Sequence, residues 1–124
     1  MTEQQLSYLV HEFYRKVRED AVLGPVFHPI PDWPAHLQRM TEFWSSVMLT
    51  SGRYKGNPMM AHLKHKAAIE PSMFERWLGL WRETALEMFD QDAAGALVSK
   101  AERIAESLQL GLFFKIEPRG AVAA

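Results

Sequence analysis

Apolar side chains recur every three to four residues through most of this 124-residue chain, which is the period of helices that bury one face. Leu6, Leu9, Val10, Phe13, Tyr14 and Val17 make the first stripe. Thr2 followed three residues later by Gln5 has the form of a capping box, so a helix is predicted to begin there. Trp33, His36, Leu37, Met40, Trp44, Val47 and Met48 make a second stripe with Phe43 on its flank. Asp32 is placed to cap it, and Pro34 suits its first turn. Asn57-Pro58 predicts a short third helix bearing Met59, His62, Leu63 and Lys66 on successive turns. A fourth buries Phe74, Trp77, Leu78, Trp81, Ala85 and Met88, with Ser72 and Glu75 resembling another capping box. The last starts near Asp90 or Asp92, carries Leu97, Ala101, Ile104, Ala105, Leu108 and Leu112, and ends around Phe114 to Ile116. The chain reads as all-α.

Three breaks separate these helices, the last at Glu70-Pro71. Gly24-Pro25, Pro29 and Pro31 interrupt the pattern between Asp20 and Asp32 and predict an irregular connector. Val26 and Phe27 inside it either plug the core or wall a pocket. Thr50 to Gly56 is a turn-rich loop in which Arg53, Tyr54 and Lys55 are donors able to reach anionic groups. Small residues at Ala94, Ala101 and Ala105 permit close packing of the last helix. One domain is expected over residues 1–116, followed by a flexible tail at 117–124.

Composition narrows the chemistry. The net charge is −1 with basic residues scattered, so no electrostatic footprint for nucleic acid or an anionic membrane is present. No apolar run approaches bilayer length, and Met1-Thr2-Glu3-Gln4-Gln5 lacks the character of a signal sequence; a soluble cytoplasmic protein is expected. The absence of cysteine excludes disulfides, thiolate catalysis, iron–sulfur clusters, zinc–thiolate sites and covalent haem attachment through Cys-x-x-Cys-His.

Four residues stand out on apolar faces, one on each of four helices: Tyr14, His36, His62 and Trp77. Each has an ordinary explanation in a packed core, where a phenol or indole finds a carbonyl and a histidine is satisfied locally. Together they describe a haem site, with an imidazole for iron on one side and an O–H, an N–H and a titratable ring on the other. His62 and His65 share a helix face, so a two-histidine metal site is an alternative, although their helix carries no carboxylate to complete the shell. His65 also competes with His62 as the single imidazole.

The wording of the sequence is specific at this point. Phe13-Tyr14-Arg15-Lys16-Val17-Arg18, Leu23-Gly24-Pro25-Val26-Phe27, Trp33-Pro34-Ala35-His36-Leu37, Phe43-Trp44, Tyr54-Lys55-Gly56-Asn57-Pro58 with His62, and Phe74-Glu75-Arg76-Trp77-Leu78 follow in order. In this the chain resembles the truncated haemoglobins, and among them group III, from about residue 6 to about residue 112. The glycine pairs usual in groups I and II are lacking, so the ligand tunnels of those groups are not implied.

The resemblance implies a shortened globin, a two-over-two helical sandwich around non-covalent haem b. It implies His62 as proximal ligand of a pentacoordinate iron, Tyr14 as distal tyrosine, His36 as distal histidine, Trp77 as the distal tryptophan and Phe27 as the aromatic packed on the haem. Met40, Phe43, Tyr54 and Trp81 are expected to complete the cofactor's surroundings. Dioxygen, nitric oxide or carbon monoxide would be the ligand. Strong hydrogen bonding from Tyr14 or Trp77 implies slow release, which suits redox chemistry such as nitric oxide dioxygenation or peroxide activation. Turnover would require an unidentified electron donor, since no flavin or nicotinamide motif occurs. A sensor or carrier without turnover is the alternative. An unperturbed imidazole titrates at about 6.5, so His36 is expected to gate access or shuttle protons near neutral pH.

Overall fold

The computed structural model describes residues 1–63 and 68–113. Their order is α1 (Glu3–Glu19), α2 (Gly24–Phe27), α3 (Trp33–Leu49), α4 (Pro58–Leu63), α5 (Pro71–Met88) and α6 (Gln91–Phe113). No strand occurs among the described residues, and no helix among them is long and apolar enough to cross a membrane.

The predicted capping box starts α1. Thr2 Oγ1 accepts from the Gln5 amide at 3.1 Å, and Gln5 Oε1 accepts from the Thr2 amide at 2.9 Å. All six stripe residues are buried, and they face two directions, because α1 packs on both α3 and α5. Phe13 lies at the junction, edge-on to Trp77 and Trp81 at 5.5 and 4.9 Å. Along α6, Ala94, Ala101 and Ala105 are buried; their small side chains allow the close packing of α5 on α6. Two helix pairs, α1 with α3 and α5 with α6, are thus joined through α1 and α5, the arrangement expected of a two-over-two sandwich.

The connector is less irregular than its prolines predict. Pro25 has no amide proton to lose in a first turn, so Gly24–Phe27 closes into the four-residue α2. Asp20 anchors it: Oδ2 accepts from the amides of Val22 and Leu23 at 3.0 and 2.9 Å. The same carboxylate receives the Arg76 guanidinium of α5 at 2.7 Å. Gly24 is required by close approach, since a Cβ there would lie 2.9 Å from the Arg18 carbonyl oxygen.

Asp32 caps α3 as expected, its Oδ1 accepting from the Ala35 amide at 3.1 Å. The expected buried stripe differs, however. Trp44 alone of it is buried, while Trp33, His36, Leu37, Met40, Val47 and Met48 are half-buried. His36, Met40 and Trp44 front a cavity. Ser45 is buried instead, donating its hydroxyl to Glu3 at 2.7 Å or Ser51 at 2.8 Å.

α5 begins one residue before Ser72, with Glu70 as its N-cap and Pro71 in its first turn; the Ser72–Glu75 capping box does not form. Asp90 caps α6 through the Ala93 amide at 2.8 Å. The expected helix end at Phe114 to Ile116 and the tail at 117–124 lie outside the described residues, as do His65 and Lys66.

Candidate functional site

A cavity of about 1010 Å³ opens between α1, the connector, α3, α4, α5 and α6. That is at the upper end of roughly 300–1,000 Å³ for cofactor and small-molecule sites. Tyr14, Phe27, His36, Met40, Phe43, Tyr54, His62 and Trp77 all line it, so four helices, the connector and a loop converge on one space.

Trp81 does not line it. Its ring is fully buried and lies between Trp44, stacked at 4.3 Å, and Trp77, parallel at 6.0 Å. Its indole N–H donates to the Leu97 carbonyl at 3.2 Å. The expectation that Trp81 touches the cofactor is corrected to a core position, one ring behind the cavity wall.

His62 is positioned by its own helix. Its Nδ1 lies 2.7 Å from the Pro58 carbonyl one turn earlier. A carbonyl only accepts, so Nδ1 carries the proton and Nε2 keeps its lone pair, which is the form of imidazole that ligates a metal. Among the described residues no cluster of three or more His, Cys, Asp or Glu could hold a metal ion; the two-histidine alternative involves His65, which lies outside them.

His36 sits in a cage of rings. Tyr14 approaches at 5.0 Å, Trp33 at 5.2 Å and Phe27 at 6.3 Å between ring centroids. Its Nε2 is buried and has no hydrogen-bond partner among the described residues. Burial, with a smaller contribution from the positive charge of Arg39, pushes its pKa down to about 4. A charged imidazole loses its hydration here. The expectation that His36 titrates near neutral pH is therefore corrected: the ring is neutral at physiological pH.

Tyr14 is 6% exposed, and burial raises its pKa well above that of a free phenol. Its hydroxyl stays protonated and available as a donor. Trp77 meets Phe13 edge-on and backs onto Trp81, which fixes its indole plane by packing. Tyr54 is set by its amide, which donates to Ser46 Oγ at 2.9 Å, and by an edge contact with Phe43 at 5.1 Å. Cations gather in the lining too: Arg39, Lys55, and Arg53 bound to Glu3 at 2.7 Å.

Several lining residues had passed as core or surface in the sequence. Phe74, Ile104 and Leu108 belong to helix stripes, and nothing in periodicity separates a stripe facing a cavity from one facing a neighbour. Arg39 was legible in principle, since it follows His36 by three residues and shares its face.

Residues 2–108 match the family described as Bacterial-like globin. The chain belongs to that family. This globin is also similar to the group 3 truncated haemoglobin of Campylobacter jejuni, 28% identical over 118 residues that span 91% of this chain and 92% of the relative. The crystal structure of group III truncated haemoglobin from Campylobacter jejuni superposes with a TM-score of 0.82 at 26% identity, covering 94% of this chain and 96% of that one. Family membership carries haem-based ligand binding. The globin's own residues fit the group: a large apolar cavity, an imidazole with a free lone pair in one wall, an unsatisfied buried nitrogen in another, and cations for acidic substituents.

Proposed function

We propose that this globin binds dioxygen and related diatomic ligands at a non-covalent haem b held by His62, and carries out redox chemistry on the bound ligand. The observation that carries this reading is His62 itself, a lone-pair imidazole in the wall of a cavity whose other walls present Tyr14, His36 and Trp77. When bound, haem supplies a coordination position for the diatomic molecule and electrons for its reduction or transfer.

The chain's residues divide the remaining work. The His62 Nδ1–H to Pro58 bond fixes the ring and raises the basicity of Nε2. Phe27, Met40 and Phe43 would exclude water from an apolar space, and Tyr54 with Arg39, Arg53 and Lys55 would hold acidic substituents of the cofactor. Tyr14 O–H and Trp77 N–H, both in the cavity lining, would donate hydrogen bonds to a diatomic ligand carrying partial negative charge. In a low-dielectric cavity such bonds are strong, and slow release follows. Neutral His36 adds a nitrogen able to donate or accept but no charge near pH 7. Slow release would favour turnover: nitric oxide would take both oxygen atoms of dioxygen to give nitrate while an external donor returns one electron per cycle, or peroxide would be activated with electrons from the same donor.

Haemin titrated into purified haem-free protein tests the reading. A saturable Soret band at one haem per chain is expected. Its absence from a folded helical protein would end the haem reading. Oxygenated protein supplied with reductant should then consume nitric oxide with repeated turnover; a single stoichiometric reaction would leave binding without catalysis.

A further inference from the structure

Among the described residues no hydrogen bond holds the His36 side chain in the cavity wall. Its buried Nε2 has no partner, a situation the imidazole would escape by swinging into water. Ring packing opposes that movement, through Tyr14, Trp33 and Phe27. Tyr14 and Phe27 are themselves cavity residues, and Trp33 is not. Trp33 nevertheless touches all three other rings, reaching Tyr14 at 6.0 Å, His36 at 5.2 Å and Phe27 at 6.4 Å.

Trp33 is in turn held from outside. The guanidinium of Arg18, an exposed residue near the end of α1, lies 4.3 Å from its ring centroid. Its backbone is fixed at the first position of α3, immediately after the Asp32 cap. The order from solvent inward is therefore a cation, an indole, and then the imidazole and phenol of the cavity wall. His36 cannot leave the wall without giving up its contact with the indole, and the indole cannot follow without giving up the cation.

We propose that Trp33, clamped by Arg18, is a positioning residue that holds His36 in the cavity wall and thereby limits the passage of small ligands from solvent. This rests on the haem reading above. Trp33 meets no ligand and acts only through His36.

Carbon monoxide association after flash photolysis of the ferrous protein measures passage. Trp33→Leu, which keeps apolar bulk without a ring, is expected to speed association. Trp33→Phe keeps a ring and is expected to stay near wild type. Arg18→Gln removes the cation and is expected to speed association by about threefold to fivefold, the population shift that an exposed cation–π contact supports. The double variant Trp33→Leu with His36→Ala should match His36→Ala alone, because neighbours acting through one residue are not additive. Additive effects in the double variant, or wild-type rates in both Trp33→Leu and Arg18→Gln, would overturn the proposal.

A second readout does not need haem. Nuclear cross-relaxation between the His36 and Tyr14 rings is expected in the full-length wild-type chain and in Trp33→Phe, and should be lost in Trp33→Leu. Its persistence there overturns the clamp whether or not haem binds, whereas failure to bind haem with these contacts intact overturns only the haem reading. Should Trp33→Leu fail to fold, weakened cross-relaxation in folded Arg18→Gln supports the clamp and an unchanged signal overturns it.

Discussion

Tyr14 and His36 meet edge to face, 5.0 Å between centroids and 81° between planes, and burial drives both toward their uncharged forms. The phenol is pushed away from ionisation and the imidazole is pushed away from protonation. Two groups that titrate in water are thus kept neutral side by side, and each offers a ligand hydrogen-bonding capacity without charge.

Tyr14→Phe removes the hydroxyl and little else. Dioxygen dissociation from the ferrous haem protein is expected to accelerate by about tenfold or more, the value of one hydrogen bond in a dry cavity. Stopped-flow displacement by carbon monoxide measures it. An unchanged rate in both Tyr14→Phe and Trp77→Phe would remove the hydrogen-bond account of slow release.

Trp81→Phe separates core from site. Losing a buried indole and its bond to the Leu97 carbonyl should lower stability by about 1–3 kcal/mol. Haem stoichiometry and ligand rates should change far less than in Trp77→Phe. Denaturant unfolding and ligand kinetics on the same pair of variants check this, and a larger kinetic effect at Trp81 would return it to the site.

Asp20 makes an acid-sensitive tie. The Arg76 guanidinium, ahead of the Leu23 and Val22 amides, holds its pKa down to about 2 from 3.8. A folded-state value below the unfolded one contributes stability that is complete above about pH 4 and is lost as pH falls toward 2. Asp20→Asn should therefore lower the thermal midpoint by about 5 °C near pH 6, with the exposed Arg76 keeping the effect modest. Near pH 2 the variant and wild type should converge. A constant difference across that range would assign the loss to the backbone hydrogen bonds alone.

The glycines distinguish crowding from open space. Gly24→Ala drives a Cβ against the backbone oxygen of Arg18, which cannot move as a side chain can, and should cost about 1–3 kcal/mol. Gly79 lies in α5 with nothing near its Cβ position, so Gly79→Ala should stabilise by about 0.5–1 kcal/mol. Denaturation midpoints read both, and equal effects would contradict the packing at Gly24.

How far the fold was legible depended on what each helix faces. α1 packs against two other helices, so its period translated directly into six buried residues. α3 faces the cavity, and its stripe has the same period while all of it but Trp44 remains half-buried. Periodicity reports which face is apolar and is silent about whether atoms fill the space beyond it. The same blindness placed Trp81 at the cofactor, since Trp77 and Trp81 share a helix face and only the neighbouring rings decide which one lines the cavity. Ser45 escaped notice because its partners, Glu3 and Ser51, are brought to it by tertiary structure. Titration of His36 was misjudged for a related reason, because desolvation by packed rings appears nowhere in a residue's identity. Prolines were read correctly as breaks at the connector and at Glu70-Pro71, but Pro25 and Pro71 start helices, as the position after a cap allows.

The central claim is that His62 supplies the lone pair that holds the haem. Haemin binding to His62→Gly, with and without added imidazole, tests it most directly. The prediction is that the variant loses the wild-type Soret spectrum and regains it when free imidazole occupies the vacated volume. A His62→Gly protein that binds haemin with an unchanged spectrum in the absence of imidazole would contradict it and assign the iron to another residue.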